Sequence, residues 1–180
     1  MQLNANIYPG TGIHPALVFI SDESRDRILR NEFNLDKNKR FGNTPFKIIM
    51  VDDDVDDREM FTEAAAELNL NLDVICMESG RDLIGLLNNV EKRLPDVIVL
   101  DLNMPDRSGR ECLDYIRSSE KLRHVPIVIY STSSSNRDIE DTYDKGANLY
   151  IRKPSSFSDL RLIIKVIAGL NWEARKPYGS

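Results

Sequence analysis

Only two of the 180 residues are cysteine, Cys76 and Cys112, and neither has a neighbour at metal-ligand spacing. That excludes a disulfide framework and a zinc ribbon; two buried, reduced thiols are the expected state. No apolar run approaches the roughly 18 residues that a membrane-crossing helix needs. The start MQLNANIYPG lacks a basic stretch followed by an apolar core, so no signal peptide is read there. The expected compartment is the cytoplasm, with no membrane partner. Positive charge is also short: Lys+Arg is 24 against Asp+Glu 29, a net charge of −5. A chain this acidic lacks the cationic footprint of a nucleic-acid binder or a membrane-surface helix. No P-loop lysine motif occurs, which argues against direct use of ATP. Gly10-Thr11-Gly12 has no third glycine and no strand before it, so it reads as a turn rather than a dinucleotide fingerprint. What is present is an apolar fraction of 41%, enough to bury a core and too high for a disordered chain.

The chain divides near Pro45. Beyond it, strand-length apolar runs alternate with amphipathic stretches. Residues 46–51 (FKIIMV) read as a strand. Residues 56–69 read as a helix with Met60, Phe61, Ala64, Ala65 and Leu68 on one face. Residues 72–77 form the second strand, and 81–90 the second helix, with Ser79 as its N-cap. After Pro95 comes DVIVLDL, a β-branched run suited to a central parallel strand buried on both faces. A helix over 109–118, the strand IVIYS after Pro126, a helix over 136–145, a short strand over 148–152 and a helix over 158–170 complete the series. Five consecutive βα units predict an α/β fold: a doubly wound, five-stranded parallel sheet with right-handed crossovers and helices on both faces. Residues 45–171 make up this domain. Residues 1–44 are read as an N-terminal extension, with a strand over 16–20 and a charged helix over 21–34. Residues 172–180 are a tail.

In such sheets ligands bind at the carboxyl ends of the strands. The first strand ends in Asp52-Asp53-Asp54, and the third ends in Asp101. If these strands are neighbours, their carboxylates converge. Two like charges about 5 Å apart repel by roughly 3 kcal/mol at an effective dielectric near 20. A cluster of three therefore calls for a cation or for shifted pKa values. Hard oxygen ligands with open positions suit Mg²⁺. The fourth strand ends in Ser131-Thr132 and the fifth in Lys153-Pro154, which sets a hydroxyl and an ammonium across from the acids. Such a set can hold a phosphoryl group while one carboxylate attacks it.

These pieces (IIMVDDD, VIVLDLNMPDRSG, PIVIYSTS and ANLYIRKP, in that order) resemble the receiver domain of two-component response regulators. The chemotaxis response regulator is its single-domain form, and the fold is flavodoxin-like. The resemblance covers residues 46–170. It implies that Asp101 is the phosphoacceptor and that Asp53 is a direct Mg²⁺ ligand, with Asp52 acting through water. Asn103 would offer its backbone carbonyl to the metal. Ser131 and Lys153 would contact phosphoryl oxygens, with Tyr150 as the aromatic switch. A cis Lys153–Pro154 bond is also implied. Thr132 is bulkier than the residue often found there and is expected to crowd the site. Asp54, Asp56 and Asp57 read as the solvated start of the first helix, where the macrodipole favours acids.

The resemblance implies a phosphorylated switch rather than a conventional enzyme. The implied donor is a sensor histidine kinase or a phosphotransfer protein, and the output is docking to a protein target. No output domain fits in the ten residues after Leu170, and the implied state is a monomer or a phosphorylation-dependent dimer. Two alternatives stand beside this reading. One is an aspartate-nucleophile phosphatase or phosphotransferase of the haloacid-dehalogenase type, whose DxDx[TV] motif fails at Asp56. The other is an inactive pseudo-receiver scaffold. An EF-hand over Asp52–Glu63 fails because Asp57 stands where glycine belongs. His14 and His124 read as surface residues.

Overall fold

A computed structural model describes residues 17–18, 44–89, 93–170 and 172. The sheet is formed by β1 (Leu17–Val18), β2 (Phe46–Val51), β3 (Leu72–Met77), β4 (Val97–Leu100), β5 (Ile127–Ser131) and β6 (Leu149–Arg152). The helices are α1 (Val55–Ala66), α2 (Gly80–Asn88), α3 (Gly109–Ser118), α4 (Asn136–Asp144) and α5 (Phe157–Gly169). All pairings are parallel, in the order β1-β6-β5-β4-β2-β3. The five expected strands are all present. Two residues of the N-terminal extension add a sixth at the edge, with Leu17 opposite Tyr150 and Val18 opposite Ile151. The helix expected over 21–34 lies outside the described residues.

Strand alternation builds two cores, because successive side chains point to opposite faces. Ile49, Val51, Ile98, Leu100, Ile127 and Ile129 face α2, α3 and α4. Ile48, Met50, Val97, Val99, Val128 and Tyr130 face α1 and α5. Every residue of β4 and β5 is buried, as a two-sided core requires. On α1, Phe61, Ala64 and Ala65 are buried and Leu68 lies just beyond, but Met60 is 42% exposed and does not share the stripe. Cys112 is buried while Cys76 is only half-buried, contrary to the expected pair of buried thiols.

Short polar residues start the helices. Ser79 caps α2 and Ser156 caps α5 through their side chains. Ser108 and Glu111 form a reciprocal capping box on α3. Asp54 caps α1 by accepting from the Asp56 N–H at 2.8 Å. Behind α3, the half-buried Arg117 guanidinium donates to the carbonyls of Gly146, Arg123 and Val125 and to Asn148 Oδ1, which ties the α3–β5 and α4–β6 connections together. No helix among the described residues is long and apolar enough to cross a membrane.

Candidate functional site

The strand order reverses between β2 and β4: the chain leaves β2 for β3 on one side and returns to β4 on the other. Such a switch point opens a crevice at the carboxyl ends of the strands. Register then decides what lines it. Val51 pairs with Leu100 and the Asp101 N–H donates to the Val51 carbonyl at 2.9 Å, so Asp52 and Asp101 emerge side by side. On the next pair Ser131 is opposite Arg152, and the Lys153 N–H donates to the Ser131 carbonyl at 2.9 Å. Lys153 therefore leaves β6 alongside the Ser131 end of β5. Gly109 closes the back of the crevice. A Cβ there would stand 2.1 Å from the Asp101 carbonyl oxygen, so only glycine lets the α3 start approach so closely.

Carboxylate oxygens of Asp52, Asp53 and Asp101 come within 4.8 Å of one another. Asp52 and Asp101 are buried, whereas Asp53 is exposed. Asp52 Oδ1 accepts from the Asp54 N–H at 3.1 Å, and Asp101 Oδ2 accepts from the Asn103 N–H at 3.0 Å. The Lys153 ammonium lies 2.7 Å from Asp52 Oδ2, 2.7 Å from Asp57 Oδ2 and 3.7 Å from Asp101 Oδ1. Its contact with Asp57 is an aligned hydrogen bond. Its contact with Asp52 is one of charge without that alignment, and the buried Oδ2 has no hydrogen-bond donor among the described residues.

Burial pushes the Asp52 carboxyl up to about 6, against the opposing pull of Lys153. Burial likewise raises Asp101, again against Lys153 and two backbone N–H groups. Lys153 is itself raised: its close pairing with Asp52, its hydrogen bond to Asp57 and the Asp101 charge outweigh its desolvation. The ammonium therefore stays charged, and Asp52, at about 6, is the carboxyl brought toward neutrality.

Four carboxylates against one ammonium leave a net charge of −3, which a divalent cation reduces to −1. The donor set is all oxygen, with one buried carboxylate oxygen short of a donor and one exposed aspartate open to water. Those features fit a hard divalent ion that keeps several waters.

The structure brings Asp52, Asp53, Asp101 and Lys153 together, with the Asn103 N–H on Asp101 and the Ser131 end of β5 beside the Lys153 backbone. Thr132, expected to crowd the site, is exposed. Tyr150 is fully buried, its ring already inside rather than on the surface. Its hydroxyl donates to the Ser133 carbonyl at 3.1 Å, while the Ser133 N–H donates to Ser131 Oγ at 3.3 Å. Ser133 Oγ in turn donates to Asp138 on α4, which pairs with Arg110 of α3. A hydrogen-bonded path thus runs from Ser131 to the α3–α4 face. The Lys153–Pro154 bond is trans, since no cis peptide occurs among the described residues. The cis expectation came from resemblance alone, and trans is the lower-energy form of an X–Pro bond.

Three site features escaped the sequence reading. Asp57 grips Lys153 instead of sitting in solvent. Tyr130, read only as core strand, places its ring 5.6 Å under the ammonium. Arg58 donates to the carbonyls of Asp52 and Asp53 at 2.7 and 2.9 Å, which pins the loop that carries them. Spacing held a signal for Arg58 alone, one helical turn into α1.

Comparison with known proteins shows the family and the fold. The family model "Response regulator receiver domain" matches residues 48–165. A relative described as a probable methanogenesis regulatory protein FilR2, from Methanothrix harundinacea, is 32% identical over 126 residues, covering 68% of this chain and 81% of its own. The phosphorylated cyanobacterial phytochrome response regulator RcpA superposes with a TM-score of 0.66 at 31% identity, covering 76% of this chain and all of that one. The Mn²⁺-bound form of response regulator Rcp1 gives a TM-score of 0.63 at 26% identity, covering 72% of this chain and 96% of that one.

Proposed function

The chain belongs to the response regulator receiver family, and from that premise we propose that it is a phosphorylation switch whose acceptor is Asp101. The observation that carries this reading is the meeting of Asp52, Asp53 and Asp101 with Lys153 at the topological switch point. The donor is a phosphohistidine of a sensor kinase or a phosphotransfer protein, and the compartment is the cytoplasm. An Asp101 carboxylate oxygen attacks phosphorus, the bond between phosphorus and the imidazole nitrogen breaks, and the nitrogen keeps the electron pair. Asp53, Asp101 and the Asn103 carbonyl would hold Mg²⁺, and Asp52 would act on it through water. When bound, the ion supplies positive charge to the phosphoryl oxygens. Lys153 neutralises a further oxygen, and the Ser131 hydroxyl donates to another. Pairing with Lys153 and with the Asn103 N–H orients the Asp101 carboxylate before the donor arrives.

The signal then leaves through Ser131, Ser133 and Tyr150 toward α4, and the docking surface for a protein target lies on the α4–β6–α5 face. Residues 45–171 form the switch, with 1–44 as an extension. Incubation with a small phosphodonor and Mg²⁺ tests the class. A switch retains one phosphoryl group per chain. A haloacid-dehalogenase-like phosphatase would turn over many equivalents, and a scaffold would do neither.

A further inference from the structure

We propose that Asp57 is a positioning residue: it anchors the Lys153 ammonium so that the lysine faces an anion on Asp101 without collapsing onto the Asp101 carboxylate. This deepens the reading of Asp101 as phosphoacceptor and rests on it. Asp57 is the third residue of α1, a helix packed against α5, so its carboxylate is delivered from a rigid element. A first-turn acid is also favoured there by the helix dipole. Its Oδ2 accepts the aligned Lys153 hydrogen bond at 2.7 Å. The lysine is fixed at its other end by its backbone bond to Ser131 and below by the Tyr130 ring.

The three carboxylates facing the ammonium are not equivalent. Asp52 is at ion-pair distance without hydrogen-bond alignment, and Asp101 stands at 3.7 Å, beyond hydrogen-bond reach. Without Asp57 the ammonium would lose its aligned acceptor. It would settle between Asp52 and Asp101, where the nearest anion is the carboxylate that must attack. With Asp57 in place, an N–H remains for an oxygen carried by Asp101, because an ammonium has three donors.

The test measures binding of beryllofluoride, an analogue of the phosphoryl group, to the full chain at saturating Mg²⁺ by titration calorimetry. Asp57→Ala is expected to weaken binding about tenfold, the size of one well-placed charged hydrogen bond. Asp57→Asn keeps an acceptor oxygen and is expected to lose only about threefold on the same ground. Lys153→Met weakens binding by itself. In that background Asp57→Ala should change it by less than about twofold, because the two side chains act as one unit. Relief of like-charge repulsion alone would have the opposite sign, so unchanged or tighter binding by Asp57→Ala overturns the proposal. Equal losses in both Lys153 backgrounds overturn it as well. Failure of the wild-type protein to bind beryllofluoride would overturn both this inference and the phosphoacceptor reading. Wild-type binding with an insensitive Asp57 would overturn this inference alone.

Discussion

Replacing Asp52 by asparagine should make the metal-free protein more stable while weakening its hold on Mg²⁺. The carboxyl is 1% exposed, and burial moves its pKa from 3.8 to about 6. Keeping it ionised at pH 8 costs the fold about 3 kcal/mol, since each pK displacement of one is about 1.4 kcal/mol. The sign follows from proton linkage. A raised carboxyl binds its proton more tightly in the folded state, so its contribution to stability is full below pH 3.8 and is lost as the pH rises through about 6. Asparagine imitates the protonated form, and its Oδ1 can still accept from the Asp54 N–H. Its amide N–H group cannot accept from Lys153, which takes back part of the gain. The net expectation is a stabilisation of about 1–2 kcal/mol at pH 8, shrinking toward zero near pH 4. Urea unfolding followed by circular dichroism, in chelator, measures it at both pH values. Adding Mg²⁺ should raise the wild-type midpoint, because a ligand of the folded state stabilises by mass action, and should raise that of Asp52→Asn much less. An Asp52→Asn protein no more stable than wild type at pH 8, or a gain that persists at pH 4, would refute the reasoning.

Further outcomes follow from the same geometry. Asp53→Ala removes the exposed carboxylate of the cluster and should cut Mg²⁺ affinity at least about tenfold, measured by titration calorimetry. Wild-type Mg²⁺ affinity should itself fall below about pH 6, as Asp52 protonates and ceases to be a donor; a flat profile from pH 8 to 5 would contradict this. Ser131→Ala leaves the carboxylates and Lys153 in place. It should still take up phosphate, but phosphorylation should no longer shift the amide resonances of α4 as it does in wild type. Gly109→Ala drives a Cβ into the Asp101 backbone and should destabilise the fold by about 2–3 kcal/mol, an overpacking cost, read as a lower urea midpoint.

Much of this arrangement is legible in the chain because strand and helix periods dominate a doubly wound sheet. VIVL can only be a two-sided strand, and once β2 and β4 are neighbours Asp52 and Asp101 must meet. What escapes depends on side-chain direction or on segments remote in sequence. Met60 fits the apolar stripe of α1 by spacing, yet it faces out because only a narrow stripe reaches the sheet and α5. Asp57 looks like an ordinary first-turn acid, and nothing local reveals that a lysine 96 residues later reaches it. The Tyr130 ring obeys strand alternation and reads as core; its place under Lys153 follows from how the end of β6 turns toward β2. The two-residue β1 is too short to carry a periodicity. The resting place of the Tyr150 ring is hidden for a like reason: the Ser133 carbonyl that accepts from its hydroxyl belongs to a loop whose course local pattern does not set.

The central claim is that Asp101 is the nucleophile. Intact-mass measurement after incubation with acetyl phosphate and Mg²⁺ tests it most directly, on wild type and Asp101→Asn side by side. The account predicts a single base-labile phosphoryl group on wild type and none on Asp101→Asn. The same phosphoryl mass on Asp101→Asn, mapped to another residue, would contradict it.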